Sequence, residues 1–558
     1  MHLRKLWLLA GVVFAGLVLV ATGSARQTSS KAAGTMVIGL EQEPTILNTS
    51  IIGGDALANV YISVPLWSGA YKTTPNFAFK PELIAKYKLK QNPMRLTLFI
   101  KKNAYWNDGG KKVPVTAQDF VFTWHVVMNP KIQILGTTGF DQIQSAKIIN
   151  KKTVTFTFKT PFAGWRTLWT DNEGVLPSFA LKNDESFNKV WLNYVNDPRN
   201  GKPISMGPFI MTGQSDWVHG RQLTLNRNPL WWEGKAKLSK LVYRFYPDSQ
   251  TEAQQIKSGE LDAFNPQPQV FLVPLRHTAG LTTQIGKGPV FEHIDFNLGY
   301  GRSEPLLSQL WMRQAFAYAI NRSTLVSALF RKTDIAPALS VLQNVWLFQG
   351  SPYYRKPWSY VKTNAQKSIN IMKAHGCTGG PSKPGGGGIF TCAGHRASFG
   401  FAWRSGNQLR QLTFEVLQQQ LKAAGIEIKA DDSADLFSSR LPKGAFDVTL
   451  FAWQGSPDLS GLNNLYGCRD NVKNTNQQND QGYCNQKVTR LLNQVNRTFN
   501  PKKQAGLLNL ATAQMAKDLN TIPLYQKPTY LIYKNRFKGM KENPTSETFM
   551  WNIGHVAG

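Results

Sequence analysis

The chain has 558 residues, 42% of them apolar and 18% charged, with 64 Lys+Arg against 34 Asp+Glu and a formal charge of +30. That apolar content can fill sizeable cores and excludes wholesale disorder. The length allows several domain-sized units or fewer large ones. Only one stretch is apolar enough to enter a bilayer, which excludes a polytopic membrane transporter.

That stretch is N-terminal. Arg4 and Lys5 precede an apolar run from Leu6 to Ala21, and Gly23-Ser24-Ala25 supplies small residues for cleavage after Ala25. Residues 1–25 are expected to be a secretory signal, with an uncleaved anchor helix as the alternative. Ser24 stands near where a lipoprotein would carry its lipidated Cys. Removing the signal leaves a charge of +28. The basic residues are scattered singly and in pairs, as in Lys101-Lys102, Lys111-Lys112 and Lys151-Lys152. No long basic run and no nucleic-acid motif occurs, so a solvated basic surface is expected, with no nucleic-acid partner.

Residues 26–35 form a small, polar tether. Met36 to Leu40 is strand-like. Arg95–Ile100 and Thr153–Phe158 alternate with period two, as half-buried strands do. Thr116-Ala117-Gln118-Asp119 has capping-box form and opens a helix carrying Phe120, Trp124, Val127 and Met128. Gln222–Leu225 and Leu241–Phe245 are further strands. The second half is more helical, with helices over Leu310–Ile320 and Thr324–Phe330. The Gly/Pro-rich run Gly379–Gly388 is read as a flexible surface loop. Asn407–Ala424 predicts a helix with Leu409, Leu412, Val416, Leu417 and Leu421 on one face, stopped by Gly425. Strands at Glu427-Ile428 and Phe446–Trp453 follow. Leu508, Ala511, Met515 and Leu519 repeat the helical spacing. Helices alternating with strands predict an α/β or α+β architecture.

Cys377, Cys392, Cys468 and Cys484 form two close pairs. Three connectivities are open, and an oxidising exterior favours disulfides. The nearest-neighbour pairing, Cys377–Cys392 and Cys468–Cys484, is preferred. No C-x-x-C occurs, and only His375 and His395 lie nearby, which argues against zinc.

Catalytic signatures are missing: no G-x-S-x-G, no H-E-x-x-H and no P-loop. A triad assembled by folding needs no fixed spacing, so a secreted peptide or glycan hydrolase stays open. Asp431-Asp432 starts no calcium loop. Trp106, Trp124 and Trp311 lie on patterned elements and are read as structural.

Several segments, in order, resemble the family 5 extracellular solute-binding proteins of ABC importers, the dipeptide- and oligopeptide-binding group. The first is Leu96-Thr97-Leu98-Phe99-Ile100 through Tyr105-Trp106-Asn107-Asp108-Gly109 to Val115-Thr116-Ala117-Gln118-Asp119. The second pairs Gly207-Pro208-Phe209 with Arg227-Asn228-Pro229-Leu230-Trp231-Trp232. The third joins Phe296-Asn297-Leu298 to the run Arg313–Arg322. The fourth runs from Leu417 to Ile428 and on through Phe446-Asp447-Val448 to Trp453. Tyr483-Cys484-Asn485 and Ile522-Pro523-Leu524-Tyr525 close the series.

The resemblance implies a two-lobed clamp of the periplasmic-binding-protein type (type II, cluster C-like) with an inserted subdomain. Lobe I would comprise 36–76, 205–286 and the return segment 523–558. The insertion would be 77–204 and lobe II 287–522. Such a monomer captures a solute, most simply a peptide, and delivers it to the permease of an ABC importer, without enzymatic activity, cofactor or metal. An oligosaccharide or another small polar solute is the alternative within this class. A basic envelope protein binding anionic polymers is a rival outside it.

In peptide-binding members a carboxylate three residues after the strand-ending Trp anchors the ligand's amino group. Here Trp453 is followed at that place by Ser456, with Asp458 two residues on. Arg404 lies near the segment where dipeptide binders place a carboxylate-binding Arg. Trp403 and Trp453 are pocket-wall candidates, Asn297 a lobe-crossing one, and Glu41 and Trp67 candidates on the first lobe.

Overall fold

The computed structural model describes residues 34–558 except 55, 171–173, 182–195, 303, 334, 336–338 and 470–477. The signal and most of the tether lie outside the described residues.

In chain order the elements that position the site are β1 (Thr35–Leu40), β2 (Ile84–Gln91), β3 (Met94–Ile100), α1 (Ala117–Val127), β4 (Ile143–Asn150), β5 (Thr153–Phe158), β6 (Phe209–Ile210), β7 (Gln222–Arg227) and β8 (Lys240–Phe245). They continue with α2 (Ser249–Ser258), β9 (Ala263–Phe264), β10 (Leu281–Phe296), α3 (Leu310–Ala319), α4 (Arg322–Phe330), β11 (Ser398–Ala402), α5 (Gln408–Ala423), β12 (Glu427–Ala430) and β13 (Val448–Gln454). The last are α6 (Gln486–Arg497), α7 (Pro501–Asp518) and β14 (Thr521–Lys534).

One large mixed sheet runs in the order β6-β7-β8-β1-β9-β14-β10-β13-β11-β12. β1 is buried throughout and lies parallel between β8 and β9, as an unbroken apolar run requires. Two large apolar cores flank this frame. One gathers residues from the first half of the chain with the C-terminal segment around Phe549. The other gathers α3, α4, α5, α7 and the strands they cover. β14 feeds both: Ile522 and Leu524 pack in the second and Leu531 in the first. The antiparallel pairing of β14 with β10 shifts register between Gly286 and Val290, opposite Lys527 to Thr529. Pro528 has no N–H for a ladder, so a break there costs little.

Local expectations are met where the pattern is strong. Asp119 accepts from the Thr116 backbone N–H at 2.7 Å, closing the capping box of α1. The strands at 36–40, 95–100, 153–158, 222–225 and 241–245 form. Leu508, Ala511, Met515 and Leu519 are all buried. The structure pairs Cys377 with Cys392 and Cys468 with Cys484. The buried face of α5 is a correction. Leu412 is 47% exposed, whereas Arg410, Thr413 and Phe414 turn inward with Leu409, Leu417 and Leu421. The face is rotated because Arg410 serves the interior. Gly425 does end this segment, at φ +81°, and a Cβ there would press on Pro381 at 2.5 Å. The run 379–388 is largely exposed, but Pro381 is buried. Trp106 is fully buried, Trp124 donates its indole N–H to the Phe140 carbonyl at 3.2 Å, and Trp311 stacks on His375.

A separate four-stranded sheet, β2-β3-β5-β4, covers the first core with Leu96, Leu98, Val154 and Phe156. Among the described residues no helix is long and apolar enough to cross a membrane.

Candidate functional site

Strands β1, β9, β11 and β13 release their C-terminal ends into one cavity of about 500 Å³. β1 delivers Glu41, β9 the segment Asn265-Pro266-Gln267-Pro268, β11 Arg404, and β13 the turn from Gln454 to Ser456. Ligands of open α/β sheets sit outside such strand ends. Residues of both large cores and of the register break on β14 line its walls.

Arg410 and Lys527 on its wall belong to a buried ion cluster. Glu292 on β10 is 1% exposed; it accepts from Arg410 Nε at 2.5 Å, and Lys527 Nζ lies 3.4 Å away. Burial alone would raise the Glu292 carboxyl, but the two cations outweigh it and hold it at about 2. Burial and the neighbouring Arg410 lower Lys527, against the pull of Glu292. Lys527 also donates to Gln267 Oε1 at 3.0 Å. Asn407 caps α5 by accepting from the Arg410 N–H at 3.0 Å, which fixes Arg410 in the first helical turn. Gly406 precedes that cap at φ +82°, where a Cβ would meet the Pro247 carbonyl at 2.6 Å.

Around this cluster stand charged groups in no salt bridge among the described residues. Arg404 donates from Nη1 to the adjacent Ser405 carbonyl at 2.8 Å; its Nε is buried with no partner. Burial lowers its pKa. Burial raises Glu41 to about 7, although the Gln267 N–H reaches it at 3.3 Å and the Ser249 hydroxyl donates to it. Glu542 is also raised to about 7 by burial, with Asn265 Nδ2 at 3.4 Å. Asp458 accepts from the Ser460 N–H at 2.7 Å. Trp453 is half-buried and meets Phe451 edge-on at 5.1 Å.

Of the residues singled out in the sequence, Glu41, Arg404, Trp453, Ser456 and Asp458 lie on the cavity wall. Three do not. Trp403 is 4% exposed and stacks on Phe414 in the second core, because alternation along β11 turns it away from Arg404. Asn297 crosses no gap: its Nδ2 donates to the carbonyls of Tyr300, Gly444 and Phe446, and its Oδ1 accepts from the N–H groups of Gly299 and Tyr300. Trp67 packs against Trp106 beside a separate hollow of about 40 Å³. Sequence reasoning missed Arg410, Lys527, Glu542 and Glu292. Lys527 in the middle of the largely apolar strand Thr521–Lys534 and a lone Glu in Val290–Phe296 were the available signals, since buried charges need partners.

A model of the bacterial extracellular solute-binding proteins, family 5 (middle) matches residues 78–473. The chain is 23% identical over 541 residues to the oligopeptide-binding protein AppA of Bacillus subtilis, covering 93% of this chain and 90% of that one. The structure of AppA in complex with a nonapeptide superposes with a TM-score of 0.81 at 21% identity, covering 94% and 99% of the two chains. The periplasmic EDTA-binding protein EppA gives 0.79 at 21%, covering 94% and 96%. NikZ from Campylobacter jejuni in complex with Ni(L-His) gives 0.77 at 20%, covering 94% and 99%. The fold is thus the mixed α/β fold of the cluster C periplasmic binding proteins. The chain belongs to family 5 of the bacterial extracellular solute-binding proteins, receptors that bind a solute for an ABC transporter rather than enzymes.

Proposed function

We propose that the chain captures a short peptide by its terminal carboxylate. The observation that carries this reading is Arg404: a guanidinium whose buried Nε has no partner among the described residues, on the wall of a cavity of about 500 Å³. Arg410 and Lys527 both pair with Glu292, whereas Arg404 is a cation on the cavity wall in no salt bridge among the described residues and is open to a ligand. The first turn of α5 lines the same wall and favours an anion there. Glu41, Glu542 and Asp458 supply carboxylates for an amino group, Asp458 standing beside the Ser456 position. The nonapeptide, EDTA and Ni(L-His) named with the similar structures all carry carboxylates, which supports an anion contact and leaves the rest of the solute to this chain's own walls.

In this reading lobe I (36–76, 205–286, 523–558) and lobe II (287–522) close on the peptide, with 77–204 inserted. The monomer, exported to the outer face of the membrane, passes the peptide to its permease. The test is calorimetric titration with peptides and their C-terminal amides, after native mass spectrometry of any co-purified solute. A charge-assisted hydrogen bond is worth about 1.5–3 kcal/mol, so amidation should weaken binding by about 10- to 150-fold. Arg404→Gln should abolish that discrimination. Equal binding of acid and amide by the parent protein would sink the carboxylate reading, and a co-purified sugar would sink the peptide.

A further inference from the structure

We propose that the outer face of the sheet β2-β3-β5-β4 docks on a bilayer surface carrying anionic phospholipids. Residues 84–100 and 143–158, which form this sheet and its turns, contain seven basic residues and no acidic one. Register decides where they point. Lys88 faces Thr97, Thr97 faces Thr155, and Thr155 faces Lys147. The flanking rung runs from Lys90 through Arg95 and Thr157 to Ser145. The third joins Lys86, Phe99, Thr153 and Asn150. Side chains on alternate residues share a face, so Lys86, Lys88, Lys90, Arg95 and Lys147 stand together opposite the apolar side.

All five are exposed. None is in a salt bridge among the described residues, and Lys86 lies over the Phe99 ring at 4.8 Å. The two central strands present threonines, Thr97 and Thr155 sharing a hydroxyl hydrogen bond of 2.8 Å. The long cationic stems therefore stand above the middle of the face.

Lysines on an edge strand also discourage strand-to-strand aggregation. That accounts for β2 but not for Arg95 on the interior strand β3, nor for the absence of acids. Charge complementarity points to an anionic surface. Of the two exposed isoleucines on the edge strand β4, Ile148 pairs with Val154 on the apolar side, and Ile149, 53% exposed at the register shift two residues from Lys147, is the one that can serve the basic face. An interface takes up such side chains and water does not. A receptor serving an ABC transporter gains from being held near the membrane that contains it.

The test is co-sedimentation of the chain from Arg26 onward with vesicles of phosphatidylglycerol and phosphatidylcholine. This chain omits the apolar run 6–21 and keeps the compact unit Gly34–Gly558. It should bind mixed vesicles at low ionic strength, ignore pure phosphatidylcholine, and be released by salt. Each basic residue near such a surface contributes about fivefold, so Lys86→Gln/Lys88→Gln/Lys90→Gln should weaken binding on the order of 100-fold. Arg95→Gln/Lys147→Gln, in a second variant, should lose on the order of 25-fold. Lys373→Gln/Lys422→Gln/Lys502→Gln removes equal charge from exposed positions elsewhere and should leave binding nearly unchanged. Equal loss in that control would reduce the effect to net charge and overturn the proposal. So would no binding at low salt, or tighter binding to soluble polyphosphate with vesicle binding indifferent to the sheet variants.

Discussion

Replacing Glu292 by Gln keeps the shape of the side chain and removes its charge. Arg410 at 2.5 Å and Lys527 at 3.4 Å then become buried cations without a counterion. A carboxyl held at about 2 against an ordinary 4.5 contributes about 3 kcal/mol to folding at neutral pH. Breaking a buried pair by removing one partner costs about 3–5 kcal/mol in general, so the two routes agree. Unfolding entropy of about 2.1 cal/mol/K per residue makes this a fall of about 3–5 °C in melting temperature for a chain of this size.

The pH dependence separates charge from packing. The native carboxyl is depressed, so its contribution is complete above about pH 4.5 and is lost as pH falls through about 2. At pH 3 less than half of the difference should remain. Denaturant unfolding of parent and Glu292→Gln at pH 7 and pH 3 reads both values. A variant as stable as the parent at pH 7, or a gap that does not shrink at pH 3, would refute the ion-cluster account. Since Arg410 and Lys527 line the cavity, the variant should also bind anionic solutes more tightly than the parent at pH 7.

Glu542 has the opposite sign. Its carboxyl is raised to about 7, so its contribution is fully present below pH 4.5 and is lost as pH rises through about 7. Glu542→Gln should match the parent near pH 4.5 and exceed it by up to about 3 kcal/mol at pH 8, measured by denaturant unfolding; a pH-independent difference would contradict this. Asn297→Ala leaves the Tyr300 and Phe446 carbonyls and two N–H groups without this partner, the Gly444 carbonyl keeping the Arg302 N–H, and should cost at least about 3 kcal/mol, with solute affinity unchanged in titrations at low temperature. Lost affinity with intact stability would return Asn297 to the binding site.

Periodicity and local chemistry made several elements legible. The capping box at Thr116–Asp119, the alternation of Thr153–Phe158 and the spacing of Leu508, Ala511 and Met515 each involve residues a turn or a pleat apart. Such interactions are set by neighbours in the chain. The rotated face of α5 was not legible, because Leu412 and Arg410 both fit a helix. Only the acid at Glu292 says which one turns inward. The cavity residues Glu41 and Arg404 were reached through the family resemblance and lie outside the motifs that carry it. Trp403 was misjudged by one position of strand alternation, which register alone fixes.

Alone, the sequence determined an α/β chain with two close cysteine pairs and an ordered set of family motifs. Tertiary structure decided the constellations. Glu292, Arg410 and Lys527 come from β10, α5 and β14, and no local preference brings them together; burial beside one another makes each tolerable. The basic face arises in the same way. Lysines and arginines that look scattered along the chain meet because hydrogen-bonded strands put Lys90 beside Arg95 and Thr155 beside Lys147, and a pleat sends alternate side chains to the same side.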